Sequence, residues 1–180
     1  MSRQRAVSRP TLVIRLLGPD DVQAYRTLRV AVLSAHPSAF TSDARQERDR
    51  TLESYRARLD AARVDEGQFT LGAWEDATLI GAVSCERETR TQGRHVEHLV
   101  GMMVDSAYHG QGIGAALLHD CLTRTRAAPG VEMVTLSVTD GNAAAVHLYE
   151  RAGFVRYGTL PRAIRVDGRY YAKHLMVLTL

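Results

Sequence analysis

Three glycines fall within six residues, Gly110, Gly112 and Gly114 in the run 109–114, and no other stretch of the 180-residue chain is better suited to holding a ligand. The run before it, 99–104, is apolar and as short as a buried strand, while the run after it, 115–122, repeats apolar side chains at helical spacing. Strand, glycine turn and helix bring free backbone N–H groups and the positive end of the helix dipole to one point. Such a point binds an anion such as a phosphate without a charged side chain. Some of these glycines serve positive φ, and others keep a Cβ from holding the ligand off the backbone. A second stretch runs from Asn142 through Tyr149 to Gly153. Asn142, Val146 and Tyr149 stand at i, i+4 and i+7, so an amide and a phenol look out from one face of a helix.

Three kinds of phosphate loop can be told apart on the residues. A Walker-type loop needs Lys and Ser or Thr after its last glycine, where this chain has Ala115 and Ala116. The spacing Gly110-x-Gly112-x-x-Ala115 matches a relaxed dinucleotide fingerprint, but too little chain follows it to build the usual sheet. The third pattern fits its surroundings. The stretch resembles the acyl-CoA-binding signature Arg/Gln-x-x-Gly-x-Gly/Ala of the GCN5-related N-acetyltransferases, the GNAT superfamily, with Gly112 and Gly114 as its glycines and His109 in the Arg/Gln position. Asn142, followed by Leu148-Tyr149-Glu150-Arg151-Ala152-Gly153-Phe154, is similar to the family's second signature. The resemblance extends from about residue 11 to 180.

That resemblance implies an N-acetyltransferase using acetyl-CoA as co-substrate, with no metal, and acting on an amine of a small molecule or a protein. The pyrophosphate would rest on the N–H groups of Gly110, Gln111, Gly112, Ile113, Gly114 and Ala115, with any side-chain contact from His109 altered by the exchange. Met102, Met103 and Val104 would offer backbone bonds to the pantetheine arm along a strand edge, and Asn142 would meet the arm from the other side. Acetyl transfer has two proton problems, a neutral acceptor amine and a protonated leaving sulfur. Tyr149 is implied as the general acid and Glu97 as the base, with His98, Glu86 and water as rivals, and the Val104 N–H would receive the oxyanion. Read without the resemblance, Met102 and Met103 are core filling, Tyr149 is a ring packed on a sheet, and Glu97 is a solvated charge. A non-catalytic acyl-CoA sensor and a nucleotide-binding dehydrogenase are the alternative functions.

The elements that must position these residues follow from periodicity and breakers. A first strand over 11–17 ends at Gly18-Pro19, and a helix capped by Asp20 runs to His36-Pro37. A polar loop over 38–48 precedes a second helix from about 49 to 62. Strands over 69–74 and 78–87 form a hairpin, and the strand 96–104 enters the glycine loop. The helix behind the loop ends near Pro129-Gly130, the strand 131–138 follows in a right-handed crossover, and the helix after Asn142 stops at Gly153. A short strand over 154–158, a loop over 160–169 and a strand over 169–179 finish the chain. The fold class expected is α/β: a mostly antiparallel mixed sheet of GNAT type, with one splayed parallel pair and helices on both faces. Residues 1–10 are expected to be a disordered tail before a single domain over 11–180.

Composition narrows the partners. With 45% hydrophobic and 24% charged residues the chain reads as globular, and no apolar stretch approaches the roughly 20 residues that span a bilayer. A net charge of +3 with basic and acidic residues interspersed argues against nucleic acid. Cys85 and Cys121 are expected to be small buried hydrophobes, in keeping with a cytoplasmic protein. A homodimer is left open, and the acceptor carries no readable code.

Overall fold

The structure, a computed structural model, describes residues 11–59 and 67–180. The expected tail over 1–10 and the end of the expected second helix, 60–62, lie outside the described residues. β1 (Leu12–Leu16) leads into α1 (Val22–Ala35), α2 (Ala44–Asp49) and α3 (Leu52–Leu59). β2 (Phe69–Glu75), β3 (Thr78–Arg87) and β4 (Val96–Val104) follow as a meander. Then come α4 (Ile113–Ala127), β5 (Met133–Thr139), α5 (Ala143–Arg151) and the hairpin of β6 (Val155–Val166) and β7 (Arg169–Thr179). All described strands join one sheet in the order β1-β2-β3-β4-β5-β7-β6, antiparallel throughout except for the parallel pair β4–β5.

Each face of this sheet buries its own core. On one face Leu117, Leu118 and Cys121 of α4 and Tyr149 of α5 pack on Val83, Leu99, Val134 and Met176. On the other, Tyr25, Leu28 and Val32 of α1 and Tyr55 and Leu59 of α3 pack on Leu79, Ala82 and Met103. Cys85 and Cys121 are buried and free, their Sγ atoms 3.0 Å apart beneath α4.

The feature that shapes the site is an irregularity in β4. Ser84 pairs with Val100 and Ala82 with Met103, so β4 spends one residue more than β3 between these pairs. That is a bulge, and Gly101 within it has φ +61°, a conformation that suits glycine. An extra residue reverses the pleat. Leu99 below it therefore packs under α4, whereas Met103 above it packs under α1. Beside the bulge β5 departs: β4 and β5 pair only at Val96–Met133, Glu97–Val134 and His98–Thr135, while β5 stays paired with β7 from Met133 to Thr139. The expected splay is thus present just after His98.

Two expectations for the chain's ends of helix and strand need correcting. The loop expected over 38–48 holds a helix, α2, which Asp43 caps, its carboxylate accepting the Arg45 and Gln46 N–H groups at 2.9 and 3.1 Å. Arg50 is extended, with ψ 139°, and separates α2 from α3. The loop expected over 160–169 is the second half of β6, which bulges between Leu160 and Ile164, where Pro161 and the positive-φ Arg162 interrupt an edge strand.

α2 is held beside α1 by a buried charge network. Arg29 meets Glu47 at 2.9 Å with both side chains almost fully buried, the Tyr55 hydroxyl donates to Glu47, and Arg50 reaches it at 3.3 Å. Burial alone would raise the Glu47 carboxyl, but the bonds from Arg29 and Tyr55 and the charges of Arg29 and Arg50 outweigh it and bring it down to about 2. A depressed carboxyl stabilises the fold fully above its unfolded value of 4.5, and that stabilisation is lost as the pH falls toward 2. Glu47→Gln should lower stability by about 3–5 kcal/mol in urea unfolding at neutral pH, since it leaves Arg29 buried without its counterion. The gap from the wild type should shrink below pH 4.5.

Candidate active site

A cavity of about 600 Å³ runs through the opening between β4 and β5, lined from both faces of the sheet. His98 and Val100 of β4, Thr135 and Ser137 of β5, and Asn142 and Tyr149 of α5 are among its walls. That volume suits a small ligand or the arm of a larger one.

The backbone of β4 has polar groups to spare at this gap. Asp105 N–H bonds the Ile80 carbonyl at 2.8 Å, so in the alternation of an antiparallel ladder Val104, paired with Gly81, turns its N–H and C=O away from β3. Those groups face the space that β5 has left. The same alternation commits the backbone of Met103 to Ala82 of β3, so Met103 does not offer the bonds expected of it, and Met102 and Val104 are the gap-facing residues. Met103's side chain is buried under α1, whereas that of Met102 lines the cavity.

At the end of β4 the chain makes the glycine turn expected to form the cradle. Gly110 and Gly112 have φ of +76° and +80°, and a Cβ built on either would meet nothing within 4 Å. Gly112 caps α4 with no side-chain bond, and Ala116 N–H bonds the Gly112 carbonyl at 3.0 Å, so the N–H groups ahead of Ala116, Ala115 among them, are those a helix leaves open at its start. Gly114 serves differently, letting α5 approach: a Cβ there would lie 3.4 Å from Leu148. Ile113 is buried in the core and anchors the turn, and Gln111 reaches back to the Ala107 carbonyl at 3.4 Å. His109 does not point toward the cradle. Its Nε2 donates to the Val104 carbonyl at 3.0 Å and its ring stacks 5.7 Å from that of His36, which makes it a strut that takes up Val104's acceptor and leaves its donor.

Of the residues expected as acid and base, one lines the cavity and the other does not. Tyr149 is 5% exposed, lies edge-on to Phe154 at 5.8 Å and lines the cavity, and burial together with the nearby Cys121 thiol raises its hydroxyl above the usual phenol range. Asn142 lines the cavity as well, while its side-chain oxygen caps α5 by accepting the Ala145 N–H at 3.3 Å. Glu97 is misplaced for the role expected of it. It is fully buried beneath α4, away from the cavity, where the Thr125 hydroxyl donates to Oε2 at 2.7 Å and burial raises its carboxyl. Strand alternation puts its neighbour His98 on the cavity side, sharing a 2.7 Å hydrogen bond with Thr135 through Nδ1. Glu86 is tied up with Arg58 at 2.5 Å and does not line the cavity. Residues the motifs did not mark also line it: Arg29, Arg58 and Lys173. Lys173 had a signal, a charge among Tyr171, Leu175 and Val177 on one alternating face of β7.

The sequence and the fold are similar to those of known proteins. The sequence profile described as Acetyltransferase (GNAT) family matches residues 30–154. A mycothiol acetyltransferase of Salinispora tropica is 30% identical over 140 residues, 78% of this chain and 43% of that protein. The N-alpha-acetyltransferase RimI of Mycobacterium tuberculosis is 39% identical over 99 residues, 54% of this chain and 59% of that protein. The chain therefore spans about half the length of these curated relatives. An acetyltransferase of the GNAT family from Streptococcus pneumoniae matches the fold with a TM-score of 0.86 at 25% identity, over 94% of this chain and 100% of that one. The putative acetyltransferase yncA of Salmonella typhimurium, solved with acetyl-CoA, matches with a TM-score of 0.80 at 21% identity over 94% of each chain.

Gly112→Val tests the cradle, because a β-branched residue resists φ +80° and fills the open space in front of the turn. A folded variant should bind acetyl-CoA about tenfold more weakly or worse in calorimetric titration. Wild-type affinity would remove the glycine turn from the binding site.

Proposed function

The chain belongs to the GNAT acetyltransferase family, and from that premise we propose that it transfers the acetyl group of acetyl-CoA to a primary amine by direct attack within a ternary complex. The observation that carries this reading is the gap between β4 and β5, with His98 and Tyr149 on its walls and an open helix start at the end of β4. The donor fits the residues present. The N–H groups of residues 110–115 would hold the pyrophosphate, the gap-facing backbone of Met102 and Val104 the amides of the arm, and Asn142 the arm's other side. When bound, acetyl-CoA supplies an activated acyl carbon and a thiolate leaving group.

The chain's own groups then meet the two proton problems. His98, set at the last paired position of β4 and oriented by Thr135, accepts the proton that the attacking amine must shed. Tyr149 stays protonated because burial disfavours its phenolate, and its hydroxyl donates to the departing sulfur. The Val104 N–H, freed toward the gap and relieved of competition by His109's hold on the carbonyl, stabilises the developing oxyanion. A binding domain without catalysis would take up acetyl-CoA and return it unchanged.

Thiol release from acetyl-CoA over a panel of amines, followed with a thiol-reactive dye, separates these outcomes. Tyr149→Phe keeps the ring and loses only the proton, so it should stay folded and acetyl-CoA-bound while kcat falls by about 10²–10⁴-fold. A fully active variant, with chemistry rate-limiting, would leave Tyr149 as packing alone. His98→Gln can still bond to Thr135 but cannot take a proton; it should lower kcat by about 10²-fold or more. An unchanged kcat would move the base elsewhere.

A further inference from the structure

The cavity's charges are of one sign. Among the described residues the cations Arg29, Arg58 and Lys173 line it beside His98, and no Asp or Glu does. Two of these cations already have counterions, Arg29 in Glu47 and Arg58 in Glu86. Glu47 serves Arg29 and Arg50 together, so even that network carries one positive charge in excess. Lys173 has no carboxylate within ion-pair distance among the described residues. Its Nζ donates to the Thr41 hydroxyl at 2.8 Å and the Ser137 hydroxyl at 3.3 Å, two neutral acceptors for a group with three donors and a full charge. Burial pushes its ammonium below the usual lysine range, as expected of a charge drawn out of water without an opposite one nearby. Fastening the 39–42 loop to β7 does not explain a cation here, because a neutral donor would do so with less desolvation cost.

Position supplies the second observation. His98 bonds to Thr135 and Lys173 to Ser137, residues i and i+2 of β5 that look into the cavity from the same face. Their anchoring points are therefore about 7 Å apart along the strand. A molecule that bears its amine and carboxylate on one carbon, seated beside the line between them, can reach both groups with one hydrogen bond each.

We infer that the acceptor is a small amino acid, its amine presented to His98 and its carboxylate held by Lys173, and that Lys173 selects this class over amines lacking the carboxylate. The inference rests on the acetyl-transfer reading and names its acceptor. A protein N-terminus, whose first carboxyl group is tied up in a peptide bond, would leave Lys173 unsatisfied. Specificity of this kind comes from the site, since a partly buried charge left unpaired costs more than a lost contact.

The test uses matched pairs on the full chain: L-leucine and L-leucinamide, L-methionine and L-methioninamide, and a tetrapeptide with a free N-terminus and an amidated C-terminus. Thiol release should favour each acid over its amide by about tenfold or more in kcat/KM, with the difference mainly in KM. In Lys173→Met, checked for folding by circular dichroism and for acetyl-CoA binding by calorimetry, this preference should shrink to about twofold, and Lys173→Arg should restore most of it. Amides or the tetrapeptide used as well as the acids, or a preference unmoved in Lys173→Met, overturns the inference while leaving acetyl transfer standing. Failure of the wild type to bind acetyl-CoA would instead overturn acetyl transfer itself.

Discussion

One extra residue in β4 governs this molecule. Because the strand spends three steps where β3 spends two, its pleat reverses at Gly101, Met103 packs under α1 instead of α4, and β5 leaves it to follow β7. Each consequence is needed by the site. Without the reversal, Met103 and Leu99 would compete for one face. Without the departure of β5, the N–H of Val104 would be spent on a neighbouring strand and the cavity would not exist. The bulge costs ladder hydrogen bonds in the middle of a sheet, and both cores repay that by continuing across it, one beneath α4 and α5 and the other beneath α1 and α3.

Much of this was legible in the sequence, and what was missed has physical reasons. The run from Val96 to the break at Asp105 marked β4 to its true ends, and the glycines marked the turn ahead of α4, because both signals are local. A strand's alternation shows that Glu97 and His98 face opposite ways, but not which of them faces the ligand; that depends on where α1 and α4 pack, which lies far off in sequence. The bulge was hidden likewise, since Gly101 inside an apolar run reads as a strand residue until its partner strand is known. α2 escaped because six largely charged residues show no apolar periodicity, and Asp43's cap and the ties that Arg29 and Tyr55 make to Glu47 come from outside them. The residues around Lys173 come from β5, β7 and the 39–42 loop, and no spacing rule joins them.

The loop over 39–42 unites the two halves of the site. Arg29 on α1 donates to Ser42 at 2.8 Å, while on the far side of the gap Thr139 donates to the Ala39 carbonyl at 3.1 Å and Lys173 to Thr41. The polar stretch that looked like a connector is a strap from the α1 side across to β5 and β7. The Arg29–Glu47 network therefore acts at a distance from the chemistry: it fixes one end of the strap, and with it one wall of the cavity.

A strand edge opened in the centre of a sheet is also a template on which any extended chain can pair, the hazard that proteins usually bury or blunt. Here the opening begins after His98 and ends at the Asp105 turn, too short for a stable ladder, with the strap across one mouth and Asn142 and Tyr149 along the other. A thin arm carrying amides at intervals can lie along it, but a polypeptide strand, with side chains on alternate faces, meets walls on both. The dimensions of the gap thus act as a sieve on backbone partners, guarding the interior of the sheet against the pairing its exposed amides invite.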